Sequence, residues 1–343
     1  MNIRYPLFSA TALFFLIFNA CFAQTIMPLQ QGRSTSIRGL SVVDDSIAWL
    51  SGSKGTVATT HNGGKTWDWQ QVKGFEKADF RDIEAFSDKE AIIMSSGTPA
   101  LILKTTDGGA NWQVKYKNTD TVYFFDAMDF ADSGHGLVLG DPINGRFFLM
   151  ETVDGGETWK PFADPPNALP GEAAFAASGT CLTMNRYEID IITGGTQSRL
   201  LTHDNDPSNA AVGWSIYSLS IKHGKPSQGA FSISNPGGPV IVGGDYQNDH
   251  LADSTTMYFY DGTYAGYLLR MAKTPPSGYQ SCVEFISGRT FLSTGTPGSN
   301  ITSDGGKTWK QIDATSYNVC RKAKKGKLVL LAGNNGTIGV FKL

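Results

Sequence analysis

Three acidic residues of this 343-residue sequence are candidates for catalytic chemistry: Asp141, Asp245 and Glu172. Asp141 and Asp245 each follow an apolar stretch that ends in glycine, so both are expected in loops. Hydrolysis of a glycosidic bond needs two carboxyl groups about 5 to 10 Å apart across a cleft. Because nothing in the surrounding sequence marks any two of these residues as a pair, a glycoside hydrolase is the alternative and a non-catalytic protein is the expectation.

Other catalytic and metal-binding patterns are missing from the sequence. There is no Cys-x-x-Cys motif, no glycine-rich nucleotide fingerprint and no metal-ligand spacing among the histidines. Cys181, Cys282 and Cys320 are expected as buried thiols, and a Cys282–Cys320 disulfide stays open because the two cysteines occupy matching positions of adjacent repeats. We therefore expect no cofactor and no bound metal.

The composition favours an all-β protein without a nucleic-acid partner. The net charge is −2, so there is no basic excess that would attract a polyanion. The sequence has 39 glycines, 11% aromatic residues and only 17% charged residues, a balance typical of many short strands joined by tight turns.

The first 23 residues resemble a secretory signal peptide. Arg4 precedes an apolar run from Leu7 to Phe18, and small residues follow up to Ala23. We expect cleavage after Ala23, with lipid attachment at Cys21 as the alternative. No later segment reaches the ~18 apolar residues of a membrane-spanning helix, so residues 24–343 are expected as one exported domain, periplasmic or extracellular.

An eight-residue pattern, Thr-x-(Asp/Asn)-Gly-Gly-x-x-Trp, recurs along the chain. It occupies residues 60–67, 105–112, 152–159 and 302–309. The first three tryptophans are 45 and 47 residues apart, the length of a four-stranded propeller blade. A degenerate copy begins at Thr202 and leads to Trp214, and the following unit keeps only residues 258–262 of the pattern.

A second periodic feature sets the number of repeats at seven. Apolar stretches that end in, or just before, a glycine recur once per unit, at Gly52, Gly97, Gly140, Gly194, Gly243, Gly295 and Gly333. The last unit, residues 317–343, contains only three strands, and residues 25–32 have no unit of their own. The sequence therefore predicts a seven-bladed β-propeller of four-stranded blades in which the N-terminal strand completes the last blade.

The repeated boxes are predicted to be structural. The Asp or Asn would accept backbone hydrogen bonds in a tight turn, the glycines would adopt positive φ, and the tryptophan would pack between blades. Calcium binding by Asp107, Asp154 or Asp304 is disfavoured, because each box offers one carboxylate where calcium takes six to eight oxygens.

These boxes resemble the BNR or Asp-box repeats of sialidases and of photosystem II stability/assembly-factor-like proteins. The second group is the more similar, through residues 102–109, 140–142 and 146–148. The sialidase Arg-Ile-Pro signature is absent; Phe80-Arg81-Asp82-Ile83 only echoes it. The resemblance implies a propeller fold and, from the assembly factors, a role in assembly or stability of a protein complex, but the repeat itself accompanies several activities.

The expected binding surface is the face opposite the boxes, where the loops between second and third strands meet the connections between blades. Polar residues there would surround one mouth of the channel and hold a protein partner or a polar or glycan ligand, although each could instead form a salt bridge or a turn. A monomer is expected. The candidate binding residues are Arg38, Arg81, Asp82, Asp126, Asp141, Arg146, Glu172, Arg199, Asp245 and Tyr246.

Overall fold

A computed structural model describes residue 1 and residues 24–204, 213–263 and 266–342. Within these residues the chain forms seven antiparallel sheets and a single 3-10 turn, Asn334–Gly336. The innermost strands of the sheets contact one another in cyclic order, which closes the sheets into a ring. The predicted all-β, seven-bladed propeller is confirmed.

The first three blades follow the repeat without interruption. After β1 (Thr25–Gln30), blade 1 consists of β2 (Ile37–Val42), β3 (Ala48–Gly52), β4 (Thr56–Thr60) and β5 (Asp68–Gln71). Blade 2 consists of β6 (Phe80–Ala85), β7 (Ala91–Ser95), β8 (Ala100–Thr105) and β9 (Gln113–Asn118). Blade 3 consists of β10 (Phe125–Phe130), β11 (Gly136–Ile143), β12 (Arg146–Thr152) and β13 (Lys160–Pro161).

The next three blades carry two short additions. Blade 4 contains β15 (Leu182–Met184), β16 (Glu188–Ile192), β18 (Arg199–Asp204) and β19 (Trp214–Ser218). The short strands β14 (Glu172–Ala173) and β17 (Gly194–Gly195) pair with each other and extend the sheet of blade 5. Blade 5 contains β20 (Gln228–Ser234), β21 (Val240–Asp245), β22 (Thr256–Thr263) and β23 (Gly266–Met271); blade 6 contains β24 (Cys282–Ser287), β25 (Thr290–Gly295), β26 (Gly298–Thr302) and β27 (Lys310–Asp313).

The two ends of the chain build the last blade together. Blade 7 contains β28 (Val319–Lys322), β29 (Val329–Ala332) and β30 (Ile338–Lys342), and β1 pairs antiparallel with β30 as its outer strand. Ile26 pairs with Phe341, and both side chains are buried. The N-terminal strand therefore completes the ring as predicted, so that blade 7 has no unpaired outer edge at β30.

The four intact boxes are turns between third and fourth strands with one hydrogen-bond pattern. In the blade 2 box, the Asp107 carboxylate accepts hydrogen bonds from the Asn111 N–H at 2.9 Å and the Thr105 hydroxyl at 2.9 Å, and the Gly109 N–H donates to the Thr105 hydroxyl at 3.0 Å. Gly108 and Gly109 have φ of 77° and 85°, values that favour glycine. The degenerate box between Thr202 and Trp214 lies largely outside the described residues.

The box tryptophans pack into the core between neighbouring blades. Trp112 of blade 2 meets Trp49 of blade 1 edge-to-face at 6.3 Å, and Trp159 of blade 3 packs in the same cluster as Ile92 and Met94 of blade 2. Each box therefore joins one blade to the preceding one, as the spacing predicted.

Polar side chains on the inner strands form a second set of links between blades. Ser41 accepts a hydrogen bond from the Ala85 N–H at 3.1 Å, Asp82 from the Met128 N–H at 2.8 Å, Asp129 from the Met184 N–H at 2.6 Å and Ser232 from the Val283 N–H at 2.8 Å. These bonds satisfy backbone donors around the channel, where strand pairing cannot supply acceptors.

Cys181, Cys282 and Cys320 are free and buried. The disulfide that the sequence allowed between Cys282 and Cys320 is therefore not formed. The expected signal peptide and the alternative lipid-attachment residue Cys21 lie outside the described residues. Among the residues that are described, no helix is long and apolar enough to cross a membrane.

Candidate functional site

A cavity of about 520 Å³ occupies the channel mouth on the face opposite the boxes. It lies beside the turns between second and third strands, represented by Asp141, Thr296 and Asn334. Five of the predicted binding residues line it: Arg38, Arg81, Asp126, Asp141 and Tyr246. We refer to it as the loop-face cavity.

Arg38, on inner strand β2, holds a poorly solvated positive charge in this cavity. Its guanidinium donates a hydrogen bond to the Ala177 carbonyl at 3.1 Å, and no ion pair to it is present among the described residues. Burial, and then repulsion from Arg81, lower the pKa of the Arg38 guanidinium. A positive charge held in this way is available to an anionic ligand.

Arg81, on inner strand β6, is the second guanidinium of the cavity. It pairs with Asp79 at 2.7 Å, approaches the Ala176 carbonyl at 3.4 Å and lies 5.9 Å from the centre of the Phe124 ring. The pair with Asp79 is about one-third exposed, so water screens it. Arg38 and Arg81 thus bring two positive charges to one side of the cavity.

Asp126 and Asp141 bring two carboxyl groups to the same cavity without satisfying them. Asp126 is 1% exposed, and within the described part of the chain neither of its carboxylate oxygens accepts a well-formed hydrogen bond, although the nearby Ala176 N–H favours its ionised form. One oxygen of Asp141 is likewise buried and unpartnered. Burial, and then repulsion from Asp141, raise the pKa of Asp126 well above its usual range, and burial raises the pKa of Asp141 to about 6.

The opposite wall is aromatic. Phe175 and Phe231 stack with ring centres 3.9 Å apart, and Tyr279 meets Phe231 edge-to-face at 4.8 Å. Tyr246, half-exposed at the rim, lies 6.2 Å from Phe231. This wall offers flat apolar surface beside the charged groups, as ligand sites commonly do.

The long connection between blades 3 and 4 forms part of the cavity and was not predicted. Residues 173–177 line it, and the Ala176 and Ala177 carbonyls meet the two arginines. The signal was present in the sequence, because Trp159 and Trp214 are 55 residues apart where intact repeats need 45 to 47. Part of the excess lies in this connection, because the chain takes 23 positions from Trp159 to the start of β15 but 13 from Trp112 to the start of β10.

Asp82 does not lie in the loop-face cavity, although it was predicted beside Arg81. Successive strand side chains point in opposite directions, and the Asp82 carboxylate accepts hydrogen bonds from the Ile83 and Met128 N–H groups. Burial raises its pKa to about 7. It lines a separate cavity of about 550 Å³ at the box-side mouth, together with Glu284 and Arg321.

Glu172 and Arg199 form a buried ion pair. The Arg199 guanidinium donates to the two Glu172 carboxylate oxygens at 2.7 and 2.5 Å, and Thr193 donates to the same carboxylate at 2.6 Å. Glu172 was predicted at the start of an inner strand, but it belongs to the short strand β14, and the inner strand of blade 4 is β15. The pair anchors the connection that borders the cavity.

Asp245 and Arg146 also have local partners. Burial acts to raise the pKa of Asp245, but hydrogen bonds from Gln228, Asn248 and the Gln247 N–H, each at 3.0 Å, outweigh it and hold the pKa well below its usual range. Arg146 pairs with Asp164 at 2.8 Å on the exposed surface.

This arrangement does not support the glycoside hydrolase alternative. Asp141 lines the loop-face cavity, whereas Asp245 and Glu172 are not among its lining residues and are engaged as turn and ion-pair groups. Across the described ranges, no three His, Cys, Asp or Glu side chains are placed to hold a metal ion.

Comparison with known proteins agrees with the repeat and the fold. The family model for the photosynthesis system II assembly factor YCF48 matches residues 27–121. The chain is a BNR-repeat propeller resembling photosystem II assembly factors. The matched segment contains β2 and β6, the strands that carry Arg38 and Arg81.

Two curated relatives have similar sequences over part of their length. The photosystem II assembly lipoprotein Ycf48 of Synechococcus sp. (strain CC9902) is 28% identical over 125 residues, 35% of each chain. The chloroplastic photosystem II stability/assembly factor HCF136 of Oryza sativa subsp. japonica is 36% identical over 73 residues, 20% of this chain and 17% of the relative. The matches thus span about a third or less of these relatives.

Solved structures share the fold at low identity. YCF48 from Cyanidioschyzon merolae superposes with a TM-score of 0.67 at 16% identity, covering 92% of this chain and 98% of the other. YCF48 bound to D1 peptide superposes with a TM-score of 0.63, also at 16% identity, covering 93% and 97%. The Neurospora crassa Pan2 WD40 domain has a TM-score of 0.61 at 14% identity, covering 90% and 89%. At these identities the similarity is one of fold.

Proposed function

We propose that this chain is an exported, non-catalytic assembly or stability factor that binds a segment of a protein partner at the loop-face cavity. Arg38 and Arg81 contact an anionic group of that segment, and the aromatic wall packs against its apolar part. The observation that carries the proposal is the presence of two guanidinium groups in one concave, partly aromatic mouth. Among the described residues, the one carboxylate that pairs with either of them is Asp79, and that pair is solvent-screened.

The comparisons support this proposal in two ways. The family match covers the strands that carry both arginines. A structural relative of the same ring architecture is described as bound to a peptide, which is the kind of ligand proposed here. By extension from the assembly factors, the partner is a subunit of a membrane protein complex that is bound during assembly.

We also propose that the protein is exported and that it is a monomer. Residues 1–23 carry the sequence features of a signal peptide, and one relative is a lipoprotein. Mass spectrometry of the mature protein distinguishes the two forms of export: cleavage after Ala23 leaves Gln24 as the first residue, whereas anchoring leaves a lipidated Cys21.

Capture of the partner tests the binding surface. The purified full chain is immobilised and incubated with detergent extract of membranes from its source organism, and retained proteins are identified by mass spectrometry. We expect one membrane protein to be retained by the parent and lost when Arg38→Ala and Arg81→Ala are combined. Synthetic segments tiling that protein then locate the bound sequence.

A matched double variant controls for the loss of positive charge. Arg186→Ala with Arg289→Ala removes two exposed arginines from turns on the box side and is expected to retain the partner. Equal capture by the Arg38/Arg81 variant and the parent would overturn the proposed surface. Turnover of a glycan that Asp141→Asn abolishes would overturn the non-catalytic assignment.

A further inference from the structure

The loop-face cavity holds an unusual combination: two guanidinium groups beside two carboxyl groups that do not neutralise them. No ion pair joins either Arg38 or Arg81 to Asp126 or Asp141 among the described side chains, and the only carboxylate paired with either arginine is Asp79. A buried carboxyl group without a partner is costly and is retained in few places of a native protein. The presence of Asp126 and Asp141 in this cavity therefore calls for a functional explanation.

We infer that this cavity binds a carboxylate group together with one proton, with Arg38 and Arg81 holding the carboxylate and the Asp126–Asp141 pair holding the proton. The inference rests on the proposed function and names the ligand chemistry and the regulation of the same site. The proton comes from solvent and joins a carboxylate oxygen of the pair; no other bond forms or breaks.

The charges in the cavity determine which ligand it can hold. An incoming carboxylate is attracted by the two guanidinium groups but repelled by any ionised carboxylate in the same poorly solvated space. Protonation of Asp126 and Asp141 removes that repulsion. It also turns each group into an O–H donor, which can give its hydrogen to the bound carboxylate and so satisfy the oxygens left without partners.

The protonation equilibria place this coupling near neutral pH. Burial and repulsion from Asp141 raise the pKa of Asp126 well above the usual range, which favours its protonated form in the free protein. Burial raises the pKa of Asp141 to about 6, so this group ionises on approach to pH 7. A bound anion favours the protonated form, so affinity falls as pH rises above about 6, by at most about tenfold per pH unit for one proton.

Among the described residues, no group around the pair reverses this effect of pH on affinity: the Ala176 and Ala174 N–H groups favour ionisation of Asp126 and Asp141, but less strongly than burial disfavours it. Arg81 favours ionisation of Asp126, but less strongly than burial and Asp141 disfavour it. Burial raises the pKa of both Cys181, which lies beside Asp126, and Tyr279, so both remain neutral near pH 7. The charged and titratable groups in or directly around the cavity are Arg38, Asp79, Arg81, Asp126, Asp141, Cys181, Tyr246 and Tyr279.

Calorimetry measures how many protons the protein takes up when it binds the carboxylate. Binding to the full mature chain is measured between pH 5 and pH 8 in pairs of buffers with different ionisation enthalpies, so that proton uptake follows from the difference in heat. The probes are formate, as a free monocarboxylate that stays ionised across this range, and a tetrapeptide blocked at both ends whose single glutamate supplies a side-chain carboxylate. We expect proton uptake that approaches one at pH 7 and vanishes at pH 5.

Substitution of Asp141 tests whether this residue takes up the proton. Asp141→Asn is expected to abolish uptake at pH 7, to flatten the pH dependence and to raise affinity at pH 7 by about tenfold, the factor for one pH unit above a pKa of 6. Asp253→Asn, a highly exposed carboxylate of the same face, is the matched control and should behave as the parent. The parent measurement stands without the variants if one of them fails to fold.

Each outcome decides the inference. Binding of either probe with proton uptake supports it, and the probe bound more tightly shows whether the carboxylate belongs to a polypeptide or to a small molecule. Binding without uptake, or no binding of either probe at pH 5, overturns it. Capture of a partner that depends on Arg38 and Arg81 would survive both of those results, so failure of the inference is distinguishable from failure of the proposed function.

Discussion

The carboxylates of the boxes and those of the loop-face cavity are the same chemical group in opposite settings. Asp154 is exposed, yet hydrogen bonds from the Thr158 hydroxyl and N–H and from Thr152 lower its pKa to about 2. Asp126 is buried and accepts no well-formed hydrogen bond within the described residues, and burial raises its pKa well above the usual range. The box carboxylates are satisfied within the fold, whereas the cavity carboxylates leave buried oxygens free for the proposed ligand.

The comparison predicts that changes in the framework lower stability. Deleting residues 24–32 removes β1 from blade 7, with buried Ile26 and the pairing to β30. Loss of one buried side chain and several ladder hydrogen bonds should lower the free energy of unfolding by more than about 5 kcal/mol. Thermal unfolding measures this, and an unchanged Tm would contradict ring closure by the N-terminal strand.

A box tryptophan should have the next largest effect. Trp159→Ala empties a site between blades 2 and 3 and is expected to lower the free energy of unfolding by about 3 to 5 kcal/mol. Val153→Ala, in the same box but 73% exposed, is the control and should change it by less than about 0.5 kcal/mol. Urea unfolding of both variants tests the structural role of the box; equal stabilities would refute it.

The periodic part of the fold could be predicted from the sequence because every blade repeats the same local chemistry. The apolar strands that end at a glycine fix the number of blades, and residues 25–32, which have no repeat unit of their own, predict the closure through β1 and β30. These features act within one turn or one strand pair, so spacing alone reveals them.

The site was predictable only in part, because it depends on side-chain direction and on an irregular segment. Arg81 and Asp82 are neighbours in sequence, but only Arg81 lines the loop-face cavity. Glu172 and Arg199 have types suited to binding, yet they pair with each other. Tyr279 and residues 173–177 were missed because no repeat position marks them.

Substitution of a cavity carboxylate should raise stability, whereas the framework variants are expected to lower it. The raised pKa of Asp126 means that the unfolded chain releases this proton first, so the contribution of Asp126 to the stability of the parent falls as pH rises above about 4, by at most about 1.4 kcal/mol per pH unit. Asp126→Asn removes this loss and should gain about 1 kcal/mol or more over the parent at pH 7. Equal Tm values at pH 4 and a higher Tm for the variant at pH 7 are expected; a variant that is less stable at pH 7 would break the comparison.

The smallest effect belongs to a box carboxylate. Because folding lowers the pKa of Asp154 to about 2, its stabilising contribution is present above the unfolded pKa near 4 and is lost as pH falls towards 2. Asp154→Asn should keep the box, since Asn62 has the same role in the first box, where it accepts from the Thr66 N–H at 2.9 Å. The difference in Tm between variant and parent should therefore change between pH 4 and pH 2 and stay constant above pH 5; a difference that keeps changing above pH 5 would show that Asp154 does not titrate in this way.

Hydrogen–deuterium exchange of the chain with and without its captured partner tests the central claim most directly, because it reports which face is covered. We predict slower exchange in residues 173–177 and in the turns that carry Asp141 and Tyr246, with unchanged exchange in the boxes at residues 60–67, 105–112 and 152–159. Protection of the boxes with an unprotected loop-face mouth would contradict the division between framework and binding site.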